Sequence, residues 1–187
     1  MGEKRMDTAL LDKAIKFAVD AHAGVERRGK GFPYIVHPME AVAVVATITA
    51  DQELLAAAAL HDTVEDTDVT EEQICTLFGP RVAKLVHLES DDDMNEEWRS
   101  RKIKAIARLA ASPLDAKIVA MGDKLSNMRA IARDYKVQGD RLWSIFHAPG
   151  GKPDHEWHYR QLAVALKELE GTDAYAEFVE LIHKVFE

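Results

Sequence analysis

Four ionisable side chains stand within six consecutive positions of the chain: His61, Asp62, Glu65 and Asp66. An apolar run over 54–60 precedes them, and helices this apolar are usually buried, so we expect the group at an interior helix end. Neighbouring imidazole and carboxylate groups suit a divalent metal ion such as Mn²⁺, Fe²⁺ or Zn²⁺. If the helix continues, His61 and Glu65 lie one turn apart. Glu65 and Asp66 exceed what a structural metal site needs, and they could hold or deprotonate a metal-bound water.

Taken singly, each of these residues is more often a helix cap or a solvated surface group, so other parts of the chain must decide. Asp123 follows an apolar segment, and a carboxylate there is costly to bury unless it meets a charge or a metal. Asn127 lies four residues further on the same helical face. Pro38 suits the first position of a helix, which places His37 just outside a helix start.

The segment 24–33 contains three glycines and three cationic residues within ten positions. Glycines let the backbone approach a ligand closely, and arginine binds phosphate or stacks on a base. Two interpretations remain open for this segment: a surface loop without a ligand, or a lid over an anion or nucleotide.

Composition limits the classes of function. The chain has 187 residues, of which 47% are hydrophobic, and it carries a net charge of −8. We expect one domain over 1–187, large enough for a core without disulfides. The negative charge disfavours nucleic acid or a membrane as the main partner, although a metal and a few cations can still hold an anionic small molecule. Cys75 is the single cysteine, which favours the cytoplasm.

Helical periodicity dominates the chain, and almost no strand is predicted. The sequence therefore predicts an all-α fold, a single bundle of about eight to ten helices. The expected segments are 7–23, 38–49, 52–62, 71–78, 80–88, 94–111, 113–135, a short helix at 141–146, 155–170 and 172–186.

Several motifs carry a resemblance to a known family. They are Arg28-Gly29-Lys30-Gly31-Phe32-Pro33-Tyr34-Ile35-Val36-His37-Pro38, His61-Asp62-Thr63-Val64-Glu65-Asp66-Thr67, Phe78-Gly79 and Asp123-Lys124-Leu125-Ser126-Asn127. Together they resemble the HD-superfamily metal-dependent phosphohydrolases, and more narrowly the RelA/SpoT hydrolase domain and the stand-alone small alarmone hydrolases. The similarity covers most of residues 7–135.

The resemblance implies an all-α HD-domain fold with one divalent metal ion, Mn²⁺ in this family. The implied metal ligands are His37, His61, Asp62 and Asp123. Glu65 and Asp66 would then activate and orient the attacking water. The implied reaction removes the 3′-pyrophosphate of guanosine tetra- or pentaphosphate (ppGpp or pppGpp) and leaves GDP or GTP.

The resemblance also suggests which residues bind the nucleotide substrate. Arg28 matches the position that packs on the purine base, and Lys30, Lys124, Asn127 and Tyr159 are expected to contact the nucleotide. Gly122 stands where the family more usually has alanine, a difference that we expect to matter little.

Two alternatives to the alarmone hydrolase remain. Another HD phosphohydrolase could use the same metal set on an adenosine alarmone, a phosphorylated dinucleotide or a nucleoside monophosphate. A catalytically silent metal- or nucleotide-binding module would retain the metal without turnover. Glu65 and Asp66 argue against the silent module, because a pure binder has no chemical need for them.

Overall fold

The computed structural model describes residues 7–27, 29–89, 96–146 and 148–187. Within these ranges the chain is helical, apart from loops and one isolated antiparallel bridge between Glu26 and Pro33. The all-α prediction is therefore confirmed. The ten α-helices of the described ranges are α1 (Ala9–Ala21), α2 (Val36–Ala46), α3 (Gln52–Leu60), α4 (Thr63–Asp66), α5 (Glu71–Phe78), α6 (Pro80–Glu89), α7 (Trp98–Ala111), α8 (Leu114–Gln138), α9 (Lys152–Ala165) and α10 (Asp173–Phe186).

Local signals in the sequence set several helix ends. The backbone N–H of Gln73 donates to the Thr70 hydroxyl at 3.3 Å, and the Gln73 side chain accepts from the Thr70 N–H at 2.9 Å. This capping box begins α5, and Gly79 ends it with a φ of 92°. Pro113 directly precedes α8, as the sequence predicted.

Helix α8 is the centre of the fold. It packs against α2, α3, α6 and α10, and every residue from Ala116 to Asp123 is buried. Helix α3 is buried from Leu54 to Leu60 and packs against α1, α2, α6 and α8. Burial of these apolar faces fixes the middle of α8 against the start of α2 and the end of α3.

Helices α2 and α8 approach each other closely at Gly122. A Cβ atom at this position would lie 2.8 Å from the Ala41 carbonyl oxygen and 2.8 Å from Val45 Cγ2. The glycine therefore has a packing role, which the expectation that its difference from the family's alanine would matter little did not include. The close contact brings Asp123, the next residue, against the first turn of α2.

Two of the expected helix boundaries beside the predicted metal ligands were wrong. Helix α2 begins at Val36, so His37 lies inside its first turn and not before it. Helix α3 ends at Leu60, so no continuous helix carries His61 and Asp62 to Glu65. Side chains compete for the last carbonyls of α3: His61 Nδ1 lies 2.8 Å from the Ala58 oxygen, and Thr63 Oγ1 donates to Leu60 at 2.7 Å.

The C-terminal third also differs in detail from the expectation. A 3₁₀-helix covers Gly139–Ile145, and another covers Lys167–Leu169 after α9 has ended at Ala165. Helix α9 begins three residues earlier than 155, because Pro153 fits the first turn of a helix. The acidic run at 91–93 lies outside the described residues. None of the described helices combines the length and apolar composition needed to cross a membrane.

Candidate active site

Three helices bring the predicted metal ligands together. His37 comes from α2, His61 and Asp62 follow α3, and Asp123 comes from α8. The Nε2 atoms of His37 and His61 are 3.2 Å apart. Asp123 Oδ1 lies 3.1 Å from His37 Nε2 and 3.6 Å from His61 Nε2. Asp62 Oδ2 lies 3.4 Å and 3.1 Å from the same two nitrogens.

Hydrogen bonds behind the two imidazoles determine which ring nitrogen carries the proton. His61 Nδ1 faces the carbonyl oxygen of Ala58 at 2.8 Å, and a carbonyl can only accept, so Nδ1–H donates. His37 Nδ1 lies 2.8 Å from Ser126 Oγ, whose own proton goes to Glu40 Oε2 at 2.8 Å. Ser126 therefore accepts from His37. In the neutral form of each ring, Nε2 consequently directs a lone pair into the group.

This donor set fits a divalent cation. Two imidazole lone pairs and two carboxylate oxygens face one another at 3.1–3.6 Å, an arrangement of negative potential that a cation would neutralise. His37, His61 and Asp123 are 3%, 2% and 7% exposed, so water cannot compensate for their proximity. Ligands of an ion with bonds of about 2.1 Å would lie about 3 Å apart, which agrees with the observed spacing.

The same proximity perturbs the acid–base properties of the ligands. Burial favours the neutral form of Asp123, but Lys124 and hydrogen bonds to His37 and His61 hold its pKa well below the usual value. Burial opposes protonation of His61, yet the carboxylates of Asp62 and Asp123 raise its pKa well above the usual value. Protons and a metal ion therefore compete for this group.

Lys124 lies beside the ligands rather than in open solvent. Its ammonium donates to Asp123 Oδ2 at 2.5 Å and to Glu89 Oε2 at 3.3 Å. Burial raises the pKa of Glu89, and the negative charge of Asp123 raises it further. Burial lowers the pKa of Lys124, but the carboxylates of Asp123 and Glu89 raise it well above the usual value. Lys124 thus holds Asp123 in place, a position that its predicted role in substrate binding did not anticipate.

Tyr34 supports the other carboxylate ligand. Its hydroxyl donates to Asp62 Oδ2 at 2.6 Å. Burial raises the pKa of Tyr34, and the negative charges of Asp62 and Asp66 raise it further, so the phenol stays protonated and donates. His22 is buried behind Tyr34, with 4.9 Å between the ring centroids.

The two carboxylates predicted to act on water follow the ligands directly. Glu65 and Asp66 are the last residues of α4, and both side chains are exposed. The backbone N–H of Asp66 donates to the carbonyl of Asp62 at 2.9 Å. The short helix therefore ties them to a metal ligand while leaving them open to a substrate.

Only some of the residues predicted to contact the nucleotide lie next to the proposed metal ligands. Asn127 donates to Asp123 Oδ1 at 2.5 Å, and Lys30 forms an ion pair with Asp134. Tyr159 is buried in α9, and burial together with the negative charge of Asp123 raises its pKa. Arg28 lies outside the described residues.

Sequence reasoning missed five supporting residues: Arg27, Tyr34, Glu40, Glu89 and Ser126. Tyr34 and Ser126 lie within the motifs quoted above, and Ser126 is a polar residue on the buried side of an apolar helix, which is a usable signal. Glu40 and Glu89 carry no local signal, because their partners lie far away in the sequence. Arg27 belongs to the cationic segment 24–33, but nothing local identifies its partner. Arg27 Nη2, for example, donates to Asn127 Oδ1 at 2.6 Å across 100 positions.

Comparisons with known proteins agree with this geometry. A family model described as HD domain matches residues 14–145. Mouse MESH1, named guanosine-3′,5′-bis(diphosphate) 3′-pyrophosphohydrolase, is 33% identical over 187 residues, which cover 97% of this chain and 95% of MESH1. The rsh protein of Brucella ovis, named GTP pyrophosphokinase, is 33% identical over 131 residues. That match covers 67% of this chain but 17% of the Brucella protein, so the chain spans less than a fifth of such relatives.

Solved structures give the same result. A metazoan SpoT orthologue, described as hydrolysing ppGpp, matches with a TM-score of 0.79 and 26% identity over 97% of this chain and 98% of that one. A Listeria monocytogenes protein, lmo0812, matches with a TM-score of 0.72 and 25% identity over 80% of this chain and 98% of its own. The chain therefore belongs to the HD-domain family and is homologous to the RelA/SpoT hydrolase domains and to the stand-alone hydrolase MESH1.

Proposed function

We propose that the protein hydrolyses the 3′-pyrophosphate of ppGpp and pppGpp, releasing pyrophosphate and leaving GDP or GTP. One observation carries the proposal: a buried His-His-Asp group fit for a divalent cation lies next to two exposed carboxylates. The near full-length similarity to MESH1 supports the substrate. The same similarity, together with the packing of α10 on α8 and α9, supports the view that residues 1–187 act as one domain.

Membership of the HD-domain family implies a divalent metal ion, and we propose that the ion is Mn²⁺. His37, His61, Asp62 and Asp123 would hold it, since mixed imidazole and carboxylate sets suit Mn²⁺. When bound, such an ion supplies positive charge at phosphate oxygens and makes water a better nucleophile at neutral pH. Ser126 and Glu40 orient His37, and the Ala58 carbonyl orients His61.

Glu65 and Asp66 are proposed as the catalytic carboxylates. Exposed carboxylates adjacent to a metal ligand can accept a proton from water and orient it toward phosphorus. Water attacks the phosphorus attached to O3′, the P–O3′ bond breaks, and O3′ takes a proton to become the hydroxyl of GDP. Asp66 stays close to the ligands because its N–H is bonded to Asp62.

Cationic side chains at the rim favour a phosphorylated substrate. These side chains are Lys30, Arg27 and Arg133: burial lowers the pKa of Lys30, repulsion from the two arginines lowers it further, and Asp134 forms an ion pair with Lys30. Such a group attracts phosphate oxygens although the whole chain is acidic. We propose that Lys30, Arg28, Asn127 and Tyr159 contact the nucleotide, and that Lys124 contributes by holding Asp123. With its single cysteine, the chain is expected to work in the cytoplasm.

The test compares purified variants for ppGpp turnover in the presence of Mn²⁺. Glu65→Gln should abolish turnover while leaving Mn²⁺ affinity unchanged, because Glu65 is not a proposed ligand. Asp123→Ala should abolish both. Glu72→Gln, an exposed carboxylate in α5, is the matched control and should retain both. Full turnover by Glu65→Gln would contradict the proposed role of Glu65.

A substrate panel separates the proposed reaction from related ones. It contains ppGpp, the corresponding adenosine alarmone, a 3′-phosphorylated dinucleotide and nucleoside monophosphates. We expect the highest kcat/KM for ppGpp. Preference for another member would assign the site to a different nucleotide, and metal binding without turnover of any member would indicate a silent binding module.

A further inference from the structure

Arg27 occupies a central place in the loop between α1 and α2. Its guanidinium donates to Asn127 Oδ1 at 2.6 Å, and its Cζ lies 5.5 Å from the centre of the Tyr34 ring. Its side chain is partly buried. The guanidinium is therefore held by an amide on one side and by an aromatic ring on the other.

Each partner of Arg27 also donates a hydrogen bond to a different carboxylate of the proposed metal site. Asn127 donates to Asp123 Oδ1 at 2.5 Å, and the Tyr34 hydroxyl donates to Asp62 Oδ2 at 2.6 Å. Asp62 follows α3 whereas Asp123 lies in α8. One guanidinium thus connects two ligands from separate helices.

The backbone of Arg27 also fixes the cationic loop. Its N–H donates to the Phe32 carbonyl at 3.0 Å, and its carbonyl accepts from the Lys30 N–H at 2.9 Å. These backbone bonds tie Arg27 to Lys30, the cation proposed above to contact the nucleotide. Arg27 is therefore linked to the proposed metal ligands through the partners of its side chain, and to Lys30 through its backbone.

We propose that Arg27 is a positioning residue that couples metal binding to nucleotide binding. An ordered Arg27 holds Asp62 and Asp123 in the orientation that a metal needs, and it holds the loop in the orientation that the nucleotide needs. Each ligand then stabilises the arrangement required by the other, and linkage makes the effect reciprocal. The nucleotide part of this inference rests on the proposed function, whereas the metal part does not.

The sign of the effect on metal affinity distinguishes positioning from simple charge. Removing a positive charge near a divalent cation should strengthen metal binding by Coulomb's law. Loss of positioning should weaken it. We expect Arg27→Met to weaken Mn²⁺ binding about tenfold, within the usual range of coupling effects. Arg27→Lys should weaken it similarly, because an ammonium keeps the charge but cannot contact the amide and the ring as a planar group.

The experiment is a Mn²⁺ titration followed by electron paramagnetic resonance, without nucleotide, on the wild type and the two Arg27 variants. Arg99→Met is the matched control, since it removes a guanidinium of α7 that likewise packs on an aromatic ring, at 4.1 Å from the centre of Trp157, and that pairs with Asp154 instead of contacting a partner of the metal ligands. We expect this control to bind Mn²⁺ as tightly as the wild type or more tightly. Equal or stronger Mn²⁺ binding by Arg27→Met would overturn the proposal, as would an equal loss in Arg99→Met.

A second titration adds ppGpp to proteins carrying Glu65→Gln, so that the nucleotide is not consumed. We expect ppGpp to tighten Mn²⁺ binding in this background and to have little effect when Arg27→Met is added. If ppGpp changes nothing in either protein while Arg27→Met still weakens Mn²⁺ binding, the substrate assignment fails and the positioning role stands. If ppGpp tightens Mn²⁺ binding equally in both, the coupling role of Arg27 fails.

Discussion

Ser126 offers a direct test of how the protein orients a metal ligand. The hydroxyl accepts from His37 Nδ1–H at 2.8 Å, and Ser126 is only 1% exposed, so water cannot replace the hydroxyl in Ser126→Ala. A buried donor left without a partner costs about 1–3 kcal/mol. The imidazole can avoid this cost by moving its proton to Nε2, which removes the lone pair that faces the site.

Either response weakens metal binding. A cost of about 1–3 kcal/mol corresponds to about 5- to 150-fold in affinity, and substitutions behind metal-bound histidines typically cost about 10- to 100-fold. We therefore expect Ser126→Ala to weaken Mn²⁺ binding by about 10- to 100-fold.

The assay is a Mn²⁺ titration at neutral pH by calorimetry or electron paramagnetic resonance. Ser144→Ala is the matched control, because that hydroxyl is exposed and donates to the Arg141 carbonyl, away from the site. The control should bind Mn²⁺ like the wild type. An unchanged affinity in a folded Ser126→Ala protein would refute the argument that Ser126 selects the tautomer of His37.

Three further predictions concern stability. Gly122→Ala should lower the free energy of unfolding measured in urea. Overpacking against the Ala41 carbonyl costs about 1–3 kcal/mol, which outweighs a gain of about 1 kcal/mol in helix propensity. A more stable variant would contradict the close contact. Mn²⁺ at about 100 times its Kd should stabilise the protein by about 2.7 kcal/mol and raise Tm by about 5–11 °C. Asp123→Ala should remove this shift, and a shift that survives would place the ion elsewhere. Arg129 holds the pKa of Glu177 below its usual value of 4.5, so the pair contributes stability above that pH and loses it as pH falls through the lowered pKa. In Glu177→Gln, the loss in the free energy of unfolding at acid pH should therefore be smaller than in the wild type. The difference should be at most about 1 kcal/mol, because the pair is half-exposed. An unchanged curve would show that the pair contributes nothing.

The sequence was most informative where chemistry and structure are local. An apolar run followed by His61 and Asp62 indicates a buried helix end with ionisable groups, and the capping box at Thr70 indicates a helix start. Asp123 is recognisable because a carboxylate in an apolar helix needs a partner. In each case the relevant neighbours lie within about two helical turns, where periodicity is reliable.

Side chains acting across the fold escaped prediction. The end of α3 at Leu60 is a local exception, because His61 and Thr63 bond to carbonyls three residues earlier that periodicity assigns to the helix. Lys124 was expected at the substrate because its sequence position does not reveal the contact with Glu89, 35 positions away. The role of Arg27 depends on Asn127 in the same way. Such partners are fixed only when the helices pack.

The most direct test of the central claim identifies the products of ppGpp incubated with the Mn²⁺-loaded protein. Anion-exchange chromatography and ³¹P NMR would follow GDP, pyrophosphate and orthophosphate together. The proposed reaction predicts equal amounts of GDP and pyrophosphate, formed by the wild type and abolished by EDTA. Release of orthophosphate, or no turnover while Mn²⁺ is demonstrably bound, would contradict the assignment of this site as an alarmone 3′-pyrophosphohydrolase.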